Sequence, residues 1–260
     1  MHFTLAVAAN NDDLLRGNLL ASPCLAPQHG NEVIVQRGFP SAALAYNDAI
    51  AKSSNDLIVF AHQDIYFPEP WIKQLERSLD ILEVADPKWG VLGCYGTTVN
   101  GDYRGYLYSS SQGVHGSPSL KPLPVQTLDE IVLVIRRSSG LEFDPNLPNF
   151  HLYGADICLA ASARGMASYA ICAPCIHNNQ QNLILPTEFY ECCEHIRSTR
   201  KAFLPIQTPC IRITKSKGHI YRRRLHEVYL RCIRRQSVGG RRVQSIDKLV
   251  GQFAMVAGRQ

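Results

Sequence analysis

Three short segments carry residue types that could do chemistry. His62-Gln63-Asp64 follows one apolar run and His177-Asn178-Asn179 follows another. His151-Leu152-Tyr153-Gly154-Ala155-Asp156 opens what reads as a helix. A carboxylate and an imidazole at two separate strand ends can share one divalent cation. A further carboxylate can take a proton from a hydroxyl. Each signal alone is weak, because an Asp after a strand often closes a turn and a lone His is often a packed core group. Their order along one chain gives them weight.

Strands and helices must place these groups. Phe3–Ala8 is a short apolar run that ends in Asn10-Asn11-Asp12, a loop and helix-cap signal. It lacks a basic leader region and is expected to be a first core strand rather than a secretory signal. Glu32–Gln36 reads as a second strand. Gly38-Phe39-Pro40-Ser41 opens a helix carrying Ala43, Tyr46 and Ile50 at helical spacing. Asp56–Ala61 is apolar throughout, as in a strand buried on both faces of a parallel sheet. Glu69–Val84 is an amphipathic helix with Ile72, Leu75, Leu79 and Leu82 on one stripe, and Trp71 is expected to pack in the core. Gly90–Cys94 and Glu130–Ile135 are further strands. Tyr153–Arg164 is a helix stopped by Gly165, and Ala167–Ile176 is a late strand. This alternation predicts an α/β fold with a mixed, mostly parallel sheet flanked by helices. Open sheets of this kind bind ligands at the carboxyl ends of their strands, where the His and Asp segments fall.

From Thr97 to Thr127 the chain is rich in Gly, Ser, Asn and Tyr, with a hairpin-like Asn100-Gly101. A stretch like that in an α/β domain usually forms a lid or binding edge. Tyr95, Tyr103, Tyr106 and Tyr108 could stack on a sugar or pack within a hairpin. Asp129-Glu130 stand between a site role and a solvated turn. Nine cysteines at irregular spacing suit free thiols in a reducing, cytoplasmic compartment. Cys172-Ala-Pro-Cys175 lies in an apolar run with no helix after it, so a structural role is expected rather than redox chemistry, and Cys158 reads as a core residue.

The chain has 260 residues, 45% hydrophobic and 19% charged, which argues against disorder and suits one large domain or a domain with an appendage. Its net charge of +5 is unevenly spread: residues 212–242 alone carry +10 and the remainder is acidic. The composition change sets an expected boundary, with a catalytic domain over 1–205 and a basic, mainly helical C-terminal extension over 206–260. His219–Arg235 places Tyr221, Leu225, Val228, Tyr229 and Cys232 on one helical stripe. Either that stripe docks on the domain with the basic face solvated, or the helix meets an anionic membrane or acceptor. No RNA- or DNA-binding pattern accompanies the basic residues, so no specific nucleic-acid partner is expected.

Ser41-Ala-Ala-Leu-Ala-Tyr-Asn47, DLIVFAHQD64, GVLGCYG96, FHLYGADICLAASARG165 and CIHNN179 together resemble family-two glycosyltransferases of the Rossmann-like GT-A fold. The resemblance spans roughly residues 1–180 and fits the branch with His-Gln-Asp where most relatives carry Asp-x-Asp. It implies that Asp64 and His177 hold a divalent metal, Mn²⁺ or Mg²⁺, bridging the donor diphosphate. His62 stands where relatives have an acid that contacts the donor ribose. Asn10, Asp12, Arg37 and Asn47 fall on the donor side, although Gln36-Arg37 replaces the Asp that contacts the base in relatives. Asp156 matches the acceptor-side catalytic base. The implied activity is inverting transfer of a sugar from a nucleotide-sugar, a UDP-sugar being the expected donor, to a glycan, lipid-linked or protein acceptor. Peripheral contact with the inner face of a membrane through the basic C-terminus is a further expectation. Two alternatives stay open: a degenerate relative that binds nucleotide without catalysis, and a module that grips an anionic polymer.

Overall fold

A computed structural model describes residues 1–179, 184–233 and 245–257. In chain order, β1 (Thr4–Ala8) leads through α1 (Asp12–Gly17) to β2 (Glu32–Gln36), and α2 (Ala42–Lys52) leads to β3 (Leu57–Ala61). Next come β4 (Ile65–Tyr66), α3 (Trp71–Ala85), β5 (Val91–Gly93), β6 (Tyr95–Thr97), β7 (Tyr103–Ser109) and β8 (Gly113–Gly116). They are followed by β9 (Leu123–Val125), β10 (Thr127–Leu128), β11 (Val132–Arg136), α4 (Tyr153–Ala163), β12 (Ser168–Ala170) and β13 (Ile176–His177). The chain continues through α5 (Thr187–Thr199), β14 (Ile206–Gln207), β15 (Arg212–Ile213), α6 (Gly218–Cys232) and α7 (Ile246–Ala257).

The central sheet has seven strands in the order β2-β1-β3-β11-β5-β12-β9. Five run one way, and β11 and β9 oppose them. Side-chain alternation explains why its middle strands are apolar throughout. Ala6, Ile58, Phe60, Leu133 and Ile135 point into one core with Tyr46 of α2 and Ile157 of α4. Leu5, Val7, Val59, Ala61, Val132 and Val134 point into the other with Trp71 and Leu75 of α3. Trp71 is fully buried, as expected, and meets the rings of Phe3 and Phe67. Local chemistry fixes the helix starts. Asn11 caps α1 by accepting from the Asp13 and Leu14 amides, and Ser41 caps α2 by accepting from the Leu44 amide.

A smaller sheet, β10-β6-β7-β13-β4 with β8 on β7, lies across the strand ends. It divides the late strand expected over Ala167–Ile176. β12 belongs to the central sheet and β13 to the smaller one. Between them Pro174 cannot donate to a ladder, and Cys175 places its buried Sγ 3.7 Å from that of Cys94. The nine cysteines are free, with Cys24, Cys94, Cys158, Cys175, Cys192 and Cys193 buried.

The boundary expected at residue 205 is not a break in the core. Ile206, Ile211, Ile213 and Ile220 are buried in the same cluster as Ile58 and Phe60. The 206–213 hairpin is tied to the loop before β10, since Thr127 Oγ1 donates to the Gln207 carbonyl and the Gln207 amide donates to Gln126 Oε1. Helix α7 closes on the smaller sheet through Leu249 and Phe253, against Tyr106 and Tyr108. Among the described residues no helix is long and apolar enough to cross a membrane.

Candidate functional site

β3 delivers His62 at its carboxyl end, where the His62 amide donates to the Ile131 carbonyl at 3.2 Å. The chain turns through Gln63 and Asp64 into β4. β4 pairs antiparallel with β13, placing His177 opposite Ile65. The Asn178 amide also donates to the Asp64 carbonyl at 2.9 Å. His177 Nε2 therefore lies 3.4 Å from Asp64 Oδ1. His62 completes the group, with ligand atoms of all three residues within 4.8 Å of one another. Asp64 and His177 come together as the sequence implied. His62 stands with them rather than apart, its ring centroid 5.9 Å from that of His177.

The electrostatics suit a cation. Burial lowers the pKa of His62 to about 4, so its imidazole is neutral at physiological pH. Burial works to raise Asp64, but His177 beside it, with smaller help from His62 and from a backbone amide, more than reverses this and holds the carboxyl at about 2. The Tyr153 hydroxyl donates to the Glu130 carbonyl at 3.1 Å, so it accepts from His62 Nε2 at 3.0 Å. That leaves the His62 lone pair on Nδ1. Two imidazoles and a carboxylate form a donor set that could hold a divalent cation, with positions left for oxygens of a ligand.

The cluster lines a cleft of about 1200 Å³ that it shares with Asp129 and Glu130. Helix α4 begins against this acid pair. Gly154 permits the approach, since a Cβ there would stand 2.9 Å from the Leu128 carbonyl oxygen and 3.1 Å from the Glu130 nitrogen. Leu152 is held at φ +60°, and its amide donates to Glu130 Oε1 at 3.0 Å. A buried leucine in that region is strained, and such strain tends to gather at functional sites. Burial raises the pKa of both acids, and Asp129 adds its charge to push Glu130 up to about 8. Two adjacent desolvated carboxyls do not both ionise readily, so the pair holds a proton at neutral pH.

Other expected site residues divide. Asn10 lines the cleft. It is tied to the strand end by Gln63, whose Oε1 accepts from the Asn10 and Asn11 amides and whose Nε2 donates to Asn10 Oδ1 at 2.7 Å. Asp12 and Arg37 are exposed and form an ion pair at 2.6 Å, beside the cleft residues Gln36 and Gly38. Asn47 does not reach the cleft. Its side chain clamps the Phe143 backbone, donating to the carbonyl at 2.8 Å and accepting from the amide at 2.9 Å.

Asp156 also departs from expectation. It is fully buried, and Arg200 holds both its oxygens at 2.7 and 3.0 Å. It lies outside the cleft lining, and its carboxylate balances a guanidinium instead of meeting an acceptor. Tyr95 and Tyr103 line the cleft as a stacked pair with centroids 5.6 Å apart, whereas Tyr106 and Tyr108 pack against Phe253. Pro209 and Cys210, from the part of the chain assigned to the extension, also line the cleft, as do Gln112 and His115. Sequence reading missed these four, although the Gly-rich stretch that holds Gln112 and His115 did signal a binding edge.

No protein-family model matches the chain. It is 32% identical over 123 residues to ORF 6 of the ATP synthase subunits region of Fuscovulum blasticum, a match covering 44% of this chain and 48% of that protein. The chain thus spans about half the length of this curated relative. Among solved structures it is similar to S. aureus TarS 1-349 in complex with UDP. That match has a TM-score of 0.44 and 14% identity, over 76% of this chain and 65% of that one. It is also similar to the mannosyltransferase PcManGT from Pyrobaculum calidifontis in complex with GDP-Man and Mn²⁺. There the TM-score is 0.42 and the identity 12%, over 67% of this chain and 56% of that one. A197 from STIV gives a TM-score of 0.42 at 13% identity, over 66% of this chain and 83% of that one.

Two outcomes check these placements. Asp156→Asn should lower stability by about 2–3 kcal/mol, because it strips the charge partner from a mostly buried guanidinium. It should leave ligand binding in the cleft unchanged, as read by urea melts and nucleotide titration of the same variant. For Glu130, the folded state keeps its proton up to about pH 8, whereas an ordinary glutamate loses it near 4.5. Folding stability should therefore fall as pH rises between those values. Melts at pH 5 and pH 8 should show wild type losing more stability than Glu130→Gln. Equal losses would mean that the carboxyl is not desolvated.

Proposed function

We propose that this cleft binds a nucleotide-sugar and transfers its sugar to an acceptor hydroxyl with inversion, using a divalent cation. The observation that carries the reading is the meeting, in one cleft, of the His62–Asp64–His177 cluster with the desolvated Asp129–Glu130 pair. The resemblance of the strand-end motifs to family-two glycosyltransferases supports the same activity. Two imidazole donors favour Mn²⁺ over Mg²⁺, which prefers an oxygen octahedron. When bound, the cation would neutralise charge developing on the diphosphate leaving group.

The chain's own residues supply the rest. Asn10, Gln36 and Gly38 offer the donor's base and ribose a polar wall, and a UDP-sugar is the donor we assign. Tyr103 is 54% and Phe150 42% exposed, and both line the cleft. Such rings suit the apolar face of a glycan acceptor. The ionised member of the Asp129–Glu130 pair takes the acceptor proton. The acceptor oxygen then bonds to the anomeric carbon, and the bond to the diphosphate oxygen breaks with its electrons. One base and no enzyme nucleophile give inversion. This role falls to the acid pair because Arg200 occupies Asp156.

A second reading, nucleotide binding without transfer, is favoured by that same Arg200 lock and by His62 in place of an acid. A thermal-shift titration with UDP and Mn²⁺, paired with a UDP-release assay on UDP-sugars, separates the two. Wild type should bind and turn over. Asp64→Ala should lose the Mn²⁺-dependent shift. Asp129→Asn and Glu130→Gln should keep the shift, and whichever removes the base should cut turnover by about 10²–10⁴-fold. Binding without turnover would select the second reading, and no nucleotide-dependent shift would refute both.

A further inference from the structure

Helix α6 sits on the body with its polar face inward. Glu227 is buried and accepts from the Leu185 amide at 3.1 Å and from Arg223 Nε at 3.1 Å. Arg224 lies over the Tyr190 ring, 4.6 Å from its centroid. Ile220 is buried on the same side. The outward face is apolar. Tyr221, Leu225, Val228 and Tyr229 are 57%, 70%, 56% and 59% exposed, and exposed Cys232 and Ile233 extend the row. At spacings of four, seven and eight they form one stripe opposite the docked face. The first of the two expectations for this helix, a stripe packed on the domain, is not what the structure shows. A continuous apolar stripe left in water marks an interaction surface.

We propose that α6 is a docking face for an anionic lipid bilayer, with the stripe in the acyl boundary and Arg222 beside it at the level of the lipid phosphates. Two features together select this occupant. Exposed Arg222 borders the stripe, and residues 212–242 carry +10, which complements a negative surface. Stable anchoring of this kind takes both buried apolar area and charge attraction. A polyanion such as nucleic acid would use the arginines and leave the stripe in water. A second copy meeting the stripe about a two-fold axis would bring two +10 segments together. Docking through α6 is independent of the cleft chemistry.

The test is co-sedimentation of the full chain with vesicles of phosphatidylcholine containing phosphatidylglycerol, against pure phosphatidylcholine, at low and high salt. Wild type should bind the anionic vesicles at low salt, bind them less at high salt and ignore the neutral ones. Leu225→Glu with Tyr229→Glu should weaken binding by about tenfold or more while the circular dichroism and the melt stay nearly unchanged, because both side chains are mostly in solvent and, among the described residues, the Tyr229 ring meets only that of His226 on the same helix. Arg222→Glu should weaken binding in the same direction. Wild type left in the supernatant with anionic vesicles, or a double variant that sediments like wild type, would overturn the proposal. So would a wild-type dimer, seen by light scattering and split by the double variant, with no vesicle binding.

Discussion

The candidate site depends on a two-residue pairing. β4 and β13 are each only two residues long, yet their antiparallel register sets His177 against Ile65 and so against Asp64. Without it, the ends of two chain segments more than a hundred residues apart would have no fixed relation. The pairing is supported from both sides. β13 also runs parallel to β7, and α7 packs on the far side through Leu249 and Phe253. The smaller sheet thus acts as a brace that holds an imidazole over the carboxyl end of the central sheet.

A second constraint comes from α4. Its start is pressed against the chain at 128–130, with glycine at 154 and a left-handed Leu152 making the approach. Tyr153 then bridges the Glu130 carbonyl and His62, so the acid pair and the His62–Asp64–His177 cluster share one hydrogen-bonded connection. The ring of Tyr153 packs on Tyr46 and Phe143, which fixes that connection to the core. Desolvation of the acids follows from this packing, and so does their raised pKa.

Much of this was legible in the sequence because it follows from local pattern. Apolar runs gave the strands, caps at Asn11 and Ser41 gave the helix starts, and residue types at strand ends gave Asp64 and His177. Three features escaped for a common reason, which is that their partners are distant. Asp156 reads as an available acid until Arg200, 44 positions on, is seen to hold it. Asn47 reads as a ligand-binding amide, but its partners are backbone groups 96 positions away. The stripe of α6 is visible as a periodicity, but periodicity does not say which way it faces. Here Glu227 and the Arg224–Tyr190 stack decide that. The opening of the cleft to Pro209 and Cys210 was hidden by composition, since a basic tail looks separable until its isoleucines are found in the main core.

We propose that His62, Asp64 and His177 act as one cation site. Pulsed electron paramagnetic resonance of Mn²⁺ added to the chain with UDP tests it most directly, because imidazole nitrogens bound to the ion modulate the echo. Modulation from two such nitrogens is expected, reduced to one in His62→Gln and likewise in His177→Gln. A signal from water and phosphate alone, identical in wild type and both variants, would contradict it.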